Sequence, residues 1–256
     1  MSLLQVKDLA KFFGGLGAVQ GVNFSVQPGE IVSLIGPNGA GKTTVFNLVT
    51  GYLKPTAGRV LYEDREITGL PPHRIAERGI VRTFQKTHVF PAVTVLDGVM
   101  MGCHLKTCCG FLPVLFNTLT KKNEEKIVRE RSLEILEFTG LSKKRAEFSK
   151  NLPYGELRLV EIAIALAAEP KVLLLDEPTA GMNPGEFRRT TNLISKIREK
   201  GVSILLVEHN MNVVMEISDR IIVLDYGKKI AEGFPVEIRQ NKDVIEAYLG
   251  RGFVHA

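Results

Sequence analysis

Residues 36–43 read GPNGAGKT, which fills every fixed position of the pattern G-x-x-x-x-G-K-[ST]. The pattern restricts the fold because it works only between a strand and a helix. Here the buried-strand run EIVSLIG precedes it and the helical pattern GKTTVFNLVTG follows. Glycines let such a loop curl with its backbone N–H groups turned inward, and the helix behind it adds its positive end. The product is a cradle for phosphate. Gly36, Pro37, Asn38, Gly39, Ala40, Gly41, Lys42, Thr43 and Thr44 are therefore the expected nucleotide-binding residues. Lys42 supplies a point charge to the β- and γ-phosphates, and Thr43 offers a hydroxyl to Mg2+.

Hydrolysis at such a loop needs acids on a neighbouring strand. KVLLLDEP, Lys171 to Pro178, provides them. Asp176 follows four apolar residues and is expected at a strand end, where its carboxylate holds Mg2+ through water. Glu177 comes next, placed to orient or deprotonate an attacking water. LLVEHN ends a further strand with His209, at a strand end parallel to that of Asp176, where ligands sit in such sheets. RTFQ sets Gln85 where an amide contacts both metal and water. The catalytic candidates are Lys42, Glu177, His209 and Gln85; the metal candidates are Thr43, Gln85 and Asp176.

The order of elements fits this chemistry. EIVSLIG, KVLLLDE, VSILLVE and RIIVLD read as buried strands, and helical patterns follow the first three. Strand, loop and helix in repetition give an α/β core with a parallel sheet covered on both faces. LLQVKDLAKFF, AVQGVNFSVQPGE and GRVLYEDREI alternate like half-exposed strands and predict a small antiparallel sheet to one side. From about residue 88 the rhythm breaks. TVLDGVMMGCHL and EEKIVRERSLEILEFTGL read as helices, with Ile127, Leu133 and Leu136 at helical spacing. This is a helical insert within the core, not a tandem domain.

The net charge of +5 suits an anionic ligand or a headgroup surface and does not imply nucleic acid. MSLLQVKDLAKFF has no signal-peptide core, and CCGFLPVLFNTL is too short to span a bilayer and contains a proline. The expected setting is cytosolic unless a partner tethers the chain. Cys103, Cys108 and Cys109 make no disulfide framework, and with His104 they match no common zinc spacing.

Taken in order, GPNGAGKTT, RTFQ, LPYGE, LLLDEP and VEH resemble the ATP-binding subunits of ABC transporters over essentially the whole chain. The resemblance implies an α/β P-loop NTPase (RecA-like) core with an antiparallel β subdomain and a helical subdomain. Residues 1–87 and 159–256 would form the core with its antiparallel sheet, and 88–158 the helical part with the signature loop. ATP and Mg2+ are the implied cofactors. A second ABC ATPase, related or identical, is the implied partner in a head-to-tail dimer, together with transmembrane permease subunits at the cytoplasmic face of the cell membrane. Phe13 would stack on adenine, Gln85 would couple the site to the membrane subunit, and His209 would contact the γ-phosphate. FGGLGAVQGV, GIVRTFQ, LDEPTAGMNP and EGFPVEIRQNKDVIEAYLG look like the branched-chain amino-acid importers in particular. Urea and amide importers share much of this pattern, and the tail is also similar to that of lipopolysaccharide exporters. ABC ATPases that act on ribosomes or DNA typically carry two cassettes or a long coiled coil, neither of which is visible here.

The signature stretch departs from the superfamily pattern L-S-G-G-Q. It reads LPYGE, so Pro153 replaces the serine whose hydroxyl would bond a γ-phosphate in trans, Tyr154 replaces a glycine and Glu156 the glutamine. The N–H groups of Tyr154, Gly155 and Glu156 keep the capacity to face phosphate. Pro153 is expected in the first turn of the helix, with Leu157, Val160, Ile164 and Ala167 on one face. Asn183 stands where the superfamily usually has aspartate. The helices after residue 88, including HVFPAVTVLDGVMMG, are expected either to meet a permease helix or to pack in the core.

Overall fold

The computed structural model describes residues 2–83, 92–103 and 119–249. The alternating N-terminal runs form β1 (Leu4–Phe13) and β2 (Leu16–Val26), an antiparallel pair. β4 (Ala57–Tyr62) and β5 (Arg65–Glu66) complete that sheet in the order β2-β1-β4-β5. The apolar runs become β3 (Ile31–Ile35), β7 (Val172–Asp176) and β8 (Ser203–Val207), buried at every residue. With β6 (Ile80–Arg82), β9 (Arg220–Asp225) and β10 (Lys228–Gly233) they make a second sheet, ordered β10-β9-β3-β8-β7-β6. Pairing is parallel from β9 to β6 and antiparallel between β10 and β9.

The strand period of two divides the core into two faces. Val32, Leu34, Leu174, Leu205 and Ile222 point toward helix α1 (Lys42–Val49), α2 (Pro72–Glu77) and the antiparallel sheet. Ile31, Leu173, Leu175, Ile204 and Leu206 point the other way. There they meet α3 (Val95–Gly102), α4 (Leu119–Phe138), α5 (Tyr154–Ala167) and α6 (Pro184–Glu199). The helices after residue 92 thus share one apolar cluster with the sheet. α7 (Met211–Ile217), α8 (Pro235–Gln240) and α9 (Lys242–Leu249) cover the sheet at β3 and β9.

Several details differ from the sequence expectation. β6 has only three residues, too few for a pattern. β10 reads KKIAEG and is a polar antiparallel edge strand, reached through a turn with Tyr226 at φ 43° and Gly227 at φ 79°; two successive left-handed residues are what a tight hairpin needs. In α4, Leu136 is buried and Leu133 partly so, but Ile127 is 60% exposed, and Val128 and Ser132 turn inward in its place. In α5, Val160 and Ala167 are buried and Leu157 and Ile164 partly so. Leu159, Ile162, Ala163 and Ala165 are buried as well, because α5 is wedged between the sheet and α3. Val95, Leu96 and Val99 are core residues, so that part of the expected docking stretch packs inward; residues 88–91 lie outside the described residues. Cys103 is a buried thiol against Val99 and Ser132, and His104, Cys108 and Cys109 are outside the described residues. Among the described residues no helix is long and apolar enough to cross a membrane.

Candidate nucleotide site

Residues 36–41 leave β3 and turn into α1 under tight steric limits. Gly36 has φ 150° and Gly41 φ 103°; a Cβ on Gly36 would lie 2.1 Å from the Leu224 carbonyl, and one on Gly41 2.4 Å from that of Ala18. Backbone from β9 and β2 therefore fixes both ends of the loop. The first helical bond of α1 runs from the Val45 N–H to the Gly41 carbonyl, so the N–H groups before it stay directed out of the helix end. No acidic residue occupies that first turn to compete for them. Lys42 lies inside the loop, 6% exposed, donating to the carbonyls of Gly36 (2.7 Å) and Pro37 (2.9 Å). Burial pulls its ammonium below the ordinary lysine range, and the negative charges of Glu177 and Asp176 oppose that shift. A crevice of about 780 Å³ runs from Pro37, Asn38, Gly39 and Ala40 to Asp225, Tyr226 and the α9 acids Asp243 and Glu246.

Asp176 closes β7 and is 2% exposed. Its Oδ2 accepts from Arg82 at 2.7 Å, and the same guanidinium donates to Asn47 Oδ1 on α1 at 2.6 Å. Glu177 follows with φ 49°, a left-handed conformation costly for a non-glycine and frequent at functional sites. Its N–H bonds the Val207 carbonyl of β8, and its Oε1 lies 2.8 Å from Nε2 of His209. Glu208 is buried between the two loops. It accepts from the Thr179 N–H and hydroxyl after β7, and from the N–H groups of His209 and Asn210 after β8. One carboxylate thus joins the loop behind Glu177 to the loop carrying His209.

Thr43 is exposed at the start of α1 and Thr44 partly so. With Asp176 they offer hydroxyl and carboxylate oxygens, hard donors of the kind Mg2+ takes. Among the described residues no group of three or more His, Cys, Asp or Glu is arranged to cage a metal. Phe13 ends β1 opposite Leu16, is 48% exposed, and carries Lys11 Nζ 5.2 Å from its ring centre. The hairpin it sits on abuts the phosphate loop through Ala18. Gln85 lies outside the described residues.

The signature residues sit elsewhere. Pro153 is the N-cap of α5, at φ −57° and ψ 154°, one position ahead of the expected first turn; its extended ψ forbids a helical place. The first α5 bond joins the Leu157 N–H to the Pro153 carbonyl, leaving the N–H groups of Tyr154, Gly155 and Glu156 outside the helical ladder. Among the described residues no hydrogen bond or ion pair joins these three to the phosphate loop. Tyr154 and Gly155 meet the loop after Glu177 and the start of α6 instead, and Glu156 lies 3.7 Å from Lys144. The Tyr154 ring faces Gly181, its hydroxyl accepts from Arg158, and a Cβ on Gly155 would lie 2.5 Å from the Glu186 carboxyl carbon. Asn183 caps α6, accepting from Gly185 and Glu186 N–H groups, while Glu186 accepts from the Asn183 N–H.

The sequence reading missed Arg82 and Glu208, although both fall within the stretches it singled out. The available signal was a charge beside each expected site residue, at the end of an apolar strand.

A phosphate cradle at the carboxyl edge of a parallel sheet, an acid pair on another strand and a histidine on the second acid define a P-loop nucleotide hydrolase. The ABC transporter family model matches residues 19–180, and this chain belongs to that family as an ATP-binding cassette with ATPase chemistry. A second family model, described as branched-chain amino acid ATP-binding cassette transporter, matches residues 228–254. The chain is similar to the high-affinity branched-chain amino acid transport ATP-binding protein LivG of Escherichia coli K12, with 45% identity over 97% of this chain and 98% of that one. The corresponding BraF of Pseudomonas aeruginosa is 44% identical over the same shares. Among solved structures, a nucleotide-free ATP-binding cassette from an ABC transporter superposes with TM-score 0.85 at 35% identity, covering 98% of this chain and 100% of that one. A bacterial cassette solved as a dimer reaches TM-score 0.76 at 26% identity, covering 91% and 98%.

Proposed function

We propose that this chain is the ATP-hydrolysing, energy-coupling subunit of a branched-chain amino-acid importer, held at the cytoplasmic face of the cell membrane by permease subunits. The observation that carries the proposal is likeness along almost the whole chain to ATP-binding proteins of that transport, including the C-terminal 228–254 match. Residues 88–158 would act as the helical subdomain on a core formed by 1–87 and 159–256.

Each residue has a chemical task. Lys42 and the N–H groups of 38–44, apart from that of Ala40, which bonds the Pro37 carbonyl, hold the β- and γ-phosphates. Thr43 and Asp176, with Gln85, would hold Mg2+, which neutralises charge across the phosphate oxygens. Glu177 orients the attacking water and takes its proton as the oxygen closes on the γ-phosphorus and the bond to ADP breaks. His209, 2.8 Å from Glu177, holds that carboxylate and would contact the γ-phosphate. Phe13 stacks on adenine. Little covalent work falls to the protein, so positioning and charge carry the rate. Tyr154, Gly155 and Glu156 present their N–H groups to the nucleotide of a second cassette, homologous or identical.

Vesicles containing the assembled transporter test the reading with radiolabelled leucine, isoleucine and valine. ATP-dependent uptake by the wild type and none with Glu177→Gln is the expected result. Uptake of urea or another amide in their place would overturn the substrate and leave the ATPase.

A further inference from the structure

We propose that Arg82 is a positioning residue for metal-dependent hydrolysis: it fixes the Asp176 carboxylate and ties it to the phosphate-loop helix. The proposal rests on the reading of Asp176 as the metal carboxylate.

Arg82 ends β6, the edge strand that pairs with β7 and leads toward Gln85. Its guanidinium is 7% exposed. One arm donates to Asp176 Oδ2 at 2.7 Å and another to Asn47 Oδ1 at 2.6 Å, and the carbon between them lies 5.4 Å from the Phe46 ring centre. Both Phe46 and Asn47 belong to α1, which begins at Lys42. A planar, permanently charged fork thus spans three elements: the phosphate-loop helix, the acid strand and the strand leading toward Gln85.

Two consequences follow from this geometry. Anchoring Oδ2 fixes the rotamer of Asp176, so the carboxylate meets its ligand without reorganising. The arginine also balances a buried carboxylate before any metal arrives, since a buried charge left alone is strongly unfavourable. Lysine restores the charge but not the fork, so the two roles separate by substitution.

The experiment uses the full chain carrying Glu177→Gln, which removes turnover as a confounding variable. The thermal midpoint is followed as MgCl2 is titrated at fixed ATP, for this parent and with Arg82→Met, Arg82→Lys or Asp176→Asn added. The Mg2+ concentration at half effect should rise about 10–100-fold with Arg82→Met, the range lost when an outer-shell partner of a metal ligand is removed. Arg82→Lys should fall between Met and the parent, and it serves alone if the Met variant fails to fold. The proposal is overturned if both Arg82 variants lower the midpoint equally in EDTA and in Mg-ATP with an unchanged Mg2+ requirement, because Arg82 is then only a structural staple. If Asp176→Asn leaves the requirement unchanged, the metal reading of Asp176 fails, and this proposal with it. If Asp176→Asn shifts it and the Arg82 variants do not, only the role of Arg82 fails.

Discussion

Glu208 shows how much of a site lies one residue from its named chemistry. Its carboxylate takes bonds from Thr179 on one loop and His209 on the other, so it sets the distance between Glu177 and His209 without touching phosphate. Glu208→Gln puts a donating N–H2 group where N–H and hydroxyl donors now find an acceptor oxygen. The expected outcome is a fall in kcat of about ten- to hundredfold, the scale of a slight misplacement in a catalytic group, with ATP binding at Lys42 retained. Steady-state kinetics beside a nucleotide-binding titration check it. Tyr62 carries a different signature. Its hydroxyl is buried with no hydrogen-bond partner among the described residues, and burial, helped by the neighbouring charge of Glu63, pushes the phenol up to about 12 from 10.0. Between those values the unfolded chain releases the proton first, so stability falls as pH rises from 10 toward 12 and is unaffected below 10. Tyr62→Phe removes that slope and the orphaned hydroxyl, whose burial costs about 1–3 kcal/mol. Urea unfolding at pH 8 and pH 11 should find the variant at least as stable at the first and clearly more stable at the second. At this scale the sequence displayed Lys42, Asp176, Glu177 and His209 because each stands at a strand or helix end after an apolar run or in a fixed motif. Arg82 and Glu208 were hidden because their partners are 94 and 29 positions away, and spacing along a chain does not report contacts made through a sheet.

The caps of α5 and α6 decide how two loops are presented, and their energies differ in kind. Asn183 completes a reciprocal capping box with Glu186, so Asn183→Ala should cost about 1 kcal/mol. Asn183→Asp keeps the cap and adds a charge suited to a helix start, a gain of about 0.3–1 kcal/mol. Denaturant midpoints of the three proteins should order Asp, Asn, Ala from most to least stable. Pro153→Ser is the contrasting case. Serine adds a capping hydroxyl worth about 1 kcal/mol, but removing proline frees the unfolded chain by about 0.4–1 kcal/mol. The two nearly cancel, so stability should hardly move. The hydroxyl would also be offered to phosphate in trans, where a bond to a charged group is worth about 1.5–3 kcal/mol. A change seen in ATP-driven pairing and not in urea unfolding is therefore expected. Long, regular elements were legible in the sequence: the buried strands, α1, α4 and α6 all follow hydrophobic period. β6 and β10 were not, one because three residues make no pattern, the other because a polar edge strand is defined by its hairpin turn and its neighbour. The inward face of α4 was misjudged at Ile127 because apolarity marks a candidate for burial, and only packing against α3 and α5 selects the residues that achieve it.

For the whole molecule, no hydrogen bond or ion pair among the described residues joins the two halves of the candidate machinery within one chain. Arg82 joins Asp176 to the phosphate-loop helix and His209 meets Glu177, while Tyr154 faces Gly181 in the loop after Glu177 and Gly155 lies against Glu186 at the start of α6. A similar cassette was solved as a dimer. If two cassettes meet head to tail, the signature loop and the loop after Glu177 arrive at the opposite nucleotide as one body, since the Tyr154 ring and Glu186 already join them. Closure then depends on ATP being present and unhydrolysed. Glu177→Gln keeps the shape of that carboxylate and loses its basicity, so it should hold the closed state. Size-exclusion chromatography with light scattering on Glu177→Gln should give a monomer in EDTA and a dimer with Mg-ATP. Adding Tyr154→Ala, which removes the ring against Gly181 while sparing Lys42, should reduce the dimer fraction and leave nucleotide binding intact. A monomer under all conditions would mean either that LPYGE is too weak to close on itself or that it closes on a different cassette, and in the second case the same run with a related ATPase added would show a mass equal to one copy of each.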